Sequence, residues 1–108
     1  MYRYTLEAIK FIDELPKEKT SETIGNQLLR NATSIGANMV EANAASSRRD
    51  YTNFFNYALK SANETKFWLG LLRDSGKADK NRANKLLKET TEIANILASS
   101  ILTLKGKR

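Results

Sequence analysis

The stretch TSIGANMVEANAASSRRDY, residues 33–51, admits two readings with different consequences. Its Gly, Asn and Ser content suits a loop that wraps a ligand. Its apolar spacing suits a helix. The spacing decides, because Ile24, Leu28, Ala32, Ile35, Met39 and Ala42 recur at intervals of 4, 4, 3, 4 and 3. That is the seam of a helix packed in a bundle. It carries the chain through Thr33–Ala44 without a break. A phosphate loop would need a preceding strand and a Gly-x-Gly pattern, and neither is present. A glycine inside a helix costs about 1 kcal/mol relative to Ala, so Gly25 and Gly36 ask for a reason. They lie eleven residues, or three turns, apart on one face, flanked by Leu29 and Val40. The expectation is a close approach of another backbone, and with it a candidate contact face between subunits.

Working outward, every other segment also reads as helix. Ala8, Ile9, Ile12 and Leu15 form a first apolar row that Pro16 stops. Thr20 or Ser21 is the expected N-cap of the second helix, with Glu22 in its first turn. The break after it falls at AASSRRD, residues 44–50, where Ser46 or Ser47 caps a third helix and Asp50 enters its first turn. This third helix runs over about 48–74 and ends at DSGK, with Gly76 as its C-cap. Ala78 or Asp79 opens the fourth, whose seam is Ala83, Leu86, Leu87, Thr90, Ile93, Leu97, Ile101 and Leu104. Three short connections predict one all-α domain over residues 1–108, an antiparallel up-down-up-down four-helix bundle.

Composition removes most enzymatic classes. The 108 residues contain no Cys and no His. Disulfides, thiolate metal sites, the commonest general base and the Glu-x-x-His pair of di-iron bundles are therefore excluded. No metal or cofactor is expected. No apolar run approaches the roughly 18 residues of a membrane span, and the charged N-terminus is unlike a secretory signal. The expected location is the cytoplasm. Glu41 and Glu64 are the carboxylates that point away from their own cores, and such groups are more often solvated or salt-bridged at a subunit contact than catalytic. The expectation is a protein that is not an enzyme.

Two surfaces remain. On the third helix the core row is Tyr51, Phe55, Ala58, Ala62, Thr65, Leu69 and Leu72, yet Tyr57, Phe67, Trp68 and Leu71 fall on a neighbouring arc. A single bundle buries one stripe of about 100°, so the second stripe, together with Glu64, is a candidate subunit interface. The second surface is electrostatic. Net charge is +6, which suggests an anionic partner. At one pole Lys17, Lys19, Arg73, Lys77, Lys80 and Arg82 meet Asp13, Glu14, Glu18, Glu22, Asp74 and Asp79 and nearly cancel. At the other, Arg48, Arg49, Lys105, Lys107 and Arg108 face Asp50 alone. These five cations are the candidate nucleic-acid-binding residues.

The region Leu28–Gly76 resembles the bacterial four-helix-bundle proteins encoded in 23S rRNA intervening sequences. The pattern is Ser-Ile-x-x-Asn-x-x-Glu-Ala or -Gly, then Ser-x-x-Asp/Glu-aromatic, then Ala-Leu-x-x-x-x-Glu-Thr-x-x-Trp-Leu. Ser34, Ile35, Asn38, Glu41, Ala42, Ser47, Asp50, Tyr51, Ala58, Leu59, Glu64, Thr65, Trp68 and Leu69 meet it. In outline the likeness spans about residues 4–104; one branch has Pro and Gly where Gly36 and Ala42 stand here. The resemblance implies an antiparallel bundle that assembles as a ring, typically a homopentamer, without established biochemical activity. It also extends to the accessory variability proteins of diversity-generating retroelements, which bind nucleic acid and work with a reverse transcriptase. The combined expectation is a basic, ring-forming bundle that binds RNA or DNA backbone, with a reverse transcriptase as a further partner. The competing expectation is a protein-interaction scaffold in which the charge is incidental.

Overall fold

Four helices account for all the regular structure in the computed structural model, which describes residues 1–106: α1 (Tyr2–Asp13), α2 (Lys19–Asn43), α3 (Arg48–Asp74) and α4 (Lys80–Leu104). They pack as a four-helix bundle, 44 Å long and 20–23 Å across. α2 packs broadly on α3, and α3 on α4; α1 bridges α2 and α4, with its narrowest contact on α4. The core is built from Leu28 and Ile35 of α2, Leu69 and Leu72 of α3, and Leu86 and Leu97 of α4, closed by Tyr4 and Phe11 of α1. Small residues line the middle of α3, where Ala58, Ala62 and Thr65 are fully covered. Their size lets α2 and α4 lie close on both sides of this central helix.

The caps show why the segments break where they do. Ser47 Oγ accepts from the Asp50 amide at 3.1 Å, and Asp79 Oδ2 from the Arg82 amide at 2.9 Å. Each satisfies an amide that the first helical turn leaves without a partner. α3 ends in a paired C-terminal turn. Gly76, at φ +75°, donates to the Arg73 carbonyl, and Lys77 donates to that of Leu72. Only a residue without a Cβ takes that φ cheaply. The C-cap itself is Ser75, one residue before the expected Gly76.

Three expected details are corrected. α2 begins at Lys19 with Glu18 as its N-cap, not Thr20 or Ser21. Ser21 is needed inside, where it is buried and donates its hydroxyl to Glu18 Oε1 at 3.1 Å. In α1 the buried row is Tyr4, Ala8 and Phe11, while Ile9 and Ile12 are half-buried. The aromatic pair turns the inward face by part of a turn. α1 also stops at Asp13, three residues before Pro16.

Candidate nucleic-acid interface and contact faces

The two poles differ in how their charges are used. Where α1 meets α2 and α3 meets α4, Lys77 pairs with Glu18, Arg82 with Glu14, and Arg73 with Asp74 at 2.8 Å. The Lys77 ammonium, followed by the Ser21 hydroxyl, holds the Glu18 carboxyl below its usual range. Arg73 does the same for Asp74 and also donates to Asn84 Oδ1 at 2.9 Å. At the opposite pole Arg48, Arg49 and Lys105 are exposed, and among the described residues none of them forms an ion pair. Lys107 and Arg108 lie outside the described residues.

Arg48 and Lys105 come together because Arg48 Nη2 donates to the Leu104 carbonyl at 2.8 Å. That carbonyl belongs to the last turn of α4, where the helix leaves acceptors open and favours a cation. Arg48 therefore has a structural duty that its sequence position did not disclose. Its planar fork retains further donors for a ligand, and Arg49 beside it has no ion-pair partner among the described residues.

The outer stripe of α3 is open. Tyr57 and Phe67 are 55% and 59% exposed, and Leu71 is 39% exposed. Trp68 is half-buried, its ring edge-on to Phe67 with centroids 5.0 Å apart. Its indole N–H is shielded from solvent and has no acceptor among the described residues. Glu64 is exposed and joins Asn56, Lys60, Asn63, Phe67 and Trp68 around a shallow groove of about 560 Å³. The five stripe residues expected at an interface thus lie together on one surface.

Gly25 and Gly36 do not join them: Gly25 is buried against α1 of the same chain, which corrects its assignment to a subunit contact, and Gly36 is half-buried beside Thr5. A Cβ on Gly25 would stand 3.3 Å from Leu15 Cδ1 and 3.6 Å from Ile12 Cγ2; one on Gly36 would stand 3.8 Å from Thr5 Oγ1. The close approach is real at Gly25, but its partners are side chains of α1 and the turn after it. Leu29 and Val40, the flanking pair, stay exposed at 37% and 68%.

Glu41 and Glu64 are both exposed, on α2 and α3. Among the described residues no cluster of His, Cys, Asp or Glu is placed to hold a metal ion, and no helix is long and apolar enough to cross a membrane. Several polar contacts escaped sequence reading. Asn38 Nδ2 donates to Ser34 Oγ at 3.0 Å and to the Ser34 carbonyl at 2.9 Å, and Ser34 and Ser61 share a 2.9 Å hydrogen bond from α2 to α3. The pairing of Ser34 with Asn38 at one helical turn was visible as a motif; its partner 27 positions later was not.

Compared with known families, residues 1–99 match the model described as 23S rRNA-intervening sequence protein. The chain belongs to this family. Its fold is also that of a crystal structure described as a protein with unknown function from the S23 ribosomal protein family of Bacteroides thetaiotaomicron. The two chains are 35% identical, with a TM-score of 0.75 over 91% of this chain and 97% of the other. No curated protein matches. Within the intervening-sequence family, then, this member presents one charge-neutralised pole, one open cationic pole and an uncovered aromatic stripe along α3.

Proposed function

We propose that this family member is a non-enzymatic subunit of a ring, an antiparallel up-down-up-down bundle that binds RNA or DNA backbone through its basic pole. The observation that carries the reading is the contrast between the poles. At one end Arg73, Lys77 and Arg82 pair with Asp74, Glu18 and Glu14; at the other Arg48, Arg49 and Lys105 form no ion pair among the described residues. Unpaired cations attract phosphates without regard to sequence, through release of condensed counterions. A closed ring places all copies of that pole on one side. With +6 per chain, five copies would carry about +30. A reverse transcriptase is the protein partner that the retroelement resemblance adds.

The test is a salt titration of binding to a generic single-stranded RNA. Arg49→Ala with Lys105→Ala is compared with Lys17→Ala with Lys80→Ala, which removes the same charge from the other pole. Arg48 is left in place because it holds the Leu104 carbonyl. The first pair should weaken binding tenfold or more and lower the salt slope by about 0.7 for each phosphate no longer neutralised. The second should change little. Equal losses would mean that charge acts only in bulk, and no binding by the wild type at low salt would favour a scaffold that contacts proteins alone.

The stripe on α3 supports that second reading and the ring alike, since exposed aromatics around a buried, unpaired indole N–H suit a protein surface. Native mass spectrometry should show a closed homo-oligomer, with five subunits expected. Trp68→Ala should shift it toward monomer by about 2 kcal/mol per interface. A wild type that stays monomeric at micromolar concentration removes the ring from the proposal.

A further inference from the structure

The outer faces of α3 and α4 carry charge in the same order. Lys60 precedes Glu64 by four residues on α3, and Lys88 precedes Glu92 by four on α4. All four side chains are exposed, and among the described residues none forms an ion pair. Lys before Glu is the less favourable order for pairing along one helix, so neither couple is well placed to neutralise itself. Laid antiparallel, the two couples complement each other, because each Lys then comes opposite a Glu. Apolar groups flank both. Tyr57 and Phe67 are exposed on α3, and on α4 Ile96 is 65% exposed beside a shallow groove of about 440 Å³.

The two faces do not meet within one chain. Ser61 of α3 bonds to Ser34 of α2, and Arg73 bonds to Asn84 of α4. Tyr57, Glu64 and Trp68 lie four before, three after and seven after Ser61, so the stripe opens on the α2 flank of α3, away from α4. On α4, Thr90 turns to Tyr4 of α1, and Glu92 two residues later is exposed on the other side of the helix. Arg48 at the Leu104 carbonyl and Arg73 at Asn84 fix the heights at which α3 and α4 lie beside each other. Copies related by rotation about one axis stand at one height along it. The α4 of an upright neighbour therefore offers α3 the same heights. To within a helical turn, that sets Tyr57 opposite Ile96, Lys60 opposite Glu92, Glu64 opposite Lys88 and Phe67 opposite Lys85.

We propose that the α3 stripe of one copy seats on the outer face of α4 of a second copy, antiparallel, with Lys60 on Glu92 and Glu64 on Lys88. The inference rests on the ring reading above and adds which two faces close the ring. Tyr57 covers Ile96, and the exposed Lys85 ammonium comes over the Phe67 ring, a cation–π contact. The contact is heterologous, since each copy gives one face and receives the other, and such contacts close into a ring by rotation. Stripe against stripe would instead pair two copies about a two-fold axis. It would match Lys60 with Glu64 but leave Ile96, Lys88 and Glu92 uncovered on both.

The chain contains no cysteine, so single introduced thiols report the contact directly. Tyr57→Cys and Ile96→Cys replace exposed side chains and should leave the bundle folded. Co-expressed and then oxidised, the two variants should give a crosslinked pair of chains that neither forms alone. Crosslinking by Tyr57→Cys alone would put stripe on stripe and overturn the proposal. Charge exchange gives a second reading, by sedimentation on the full chain. Glu64→Lys should raise the concentration for half-assembly about tenfold or more, because it turns an attraction into a repulsion. Adding Lys88→Glu should restore most of the loss, and adding Lys60→Glu instead should deepen it. Rescue by Lys60→Glu, or by neither, counts against the α3–α4 pairing. A monomeric wild type removes the ring itself, whereas an assembled wild type without the crosslink and the rescue removes only this pairing of faces.

Discussion

Tyr4 and Thr90 join α1 to α4 through hydroxyls 2.5 Å apart, and Thr90 Oγ1 donates onward to the Leu86 carbonyl at 2.6 Å. The Thr90 hydrogen is thereby used, so Tyr4 is the donor and Thr90 the relay. Burial raises the Tyr4 phenol above its ordinary value, which keeps it protonated for this task. The two partners should not respond equally to substitution. Thr90→Val leaves the buried Tyr4 hydroxyl without an acceptor and should cost about 1–3 kcal/mol, whereas Tyr4→Phe leaves Thr90 satisfied by Leu86 and should cost about 0.5–1.5 kcal/mol. The double variant should be less destabilised than the sum of the two. Urea unfolding of the four proteins gives the answer; a Tyr4→Phe loss larger than that of Thr90→Val would reverse the assigned direction. The three glycines within helices separate in the same way. Gly25 has Leu15 at 3.3 Å from an added Cβ, and Gly70 on α3 has nothing within 4 Å. Gly70→Ala should therefore stabilise by up to about 1 kcal/mol, while Gly25→Leu should destabilise by about 1–3 kcal/mol through overpacking. Thermal or urea midpoints moving in the same direction for both would contradict this placement.

At the scale of the helices, periodicity carried much of the reading. Leu28, Ala32 and Ile35 of α2 and Ala83, Leu86, Thr90 and Leu97 of α4 are buried as their spacing requires. Ser47 and Asp79 cap where short acceptors stand before a helical run. The start of α2 was less legible, because Ser21 has a capping side chain yet spends it on Glu18 from a buried position within the helix. The choice depends on Lys77, which arrives from a distant segment to engage the same Glu18. The glycine face showed similar limits. Spacing identified Gly25 and Gly36 as one face and predicted a close neighbour, but could not say whether that neighbour came from the same chain. α1 supplies it through Ile12, and the turn after it through Leu15. Of the basic pole, the grouping followed from helix order, while the hydrogen bond of Arg48 to Leu104 depends on how α3 and α4 end relative to one another.

For the molecule as a whole, charge and packing divide along different axes. Ion pairs concentrate at the pole of Glu14 and Glu18, and the open aromatic stripe runs along the outside of α3. A nucleic-acid surface at one end and a subunit contact along the side would not compete for the same residues, so the variants aimed at each should act separately. The bundle is also uneven in how it is closed. α2, α3 and α4 meet through neighbours in the chain, but the Tyr4–Thr90 bond spans 86 positions. This separation orders events in time. Contacts between consecutive helices close short loops, whereas the α1–α4 seam must gather nearly the whole chain before it returns any energy. The last three helices should therefore assemble before the barrier is crossed, and α1 should dock after it. Phe11→Leu, within the buried face of α1, should then speed unfolding and leave refolding nearly unchanged, while Leu69→Ala in the central helix should slow refolding as well. Stopped-flow measurements in dilute protein, where the rates do not depend on concentration, distinguish the two. A slowed refolding limb for Phe11→Leu would place α1 in the folding nucleus. With α1 docking late, the first helix to be made is the last to find its place.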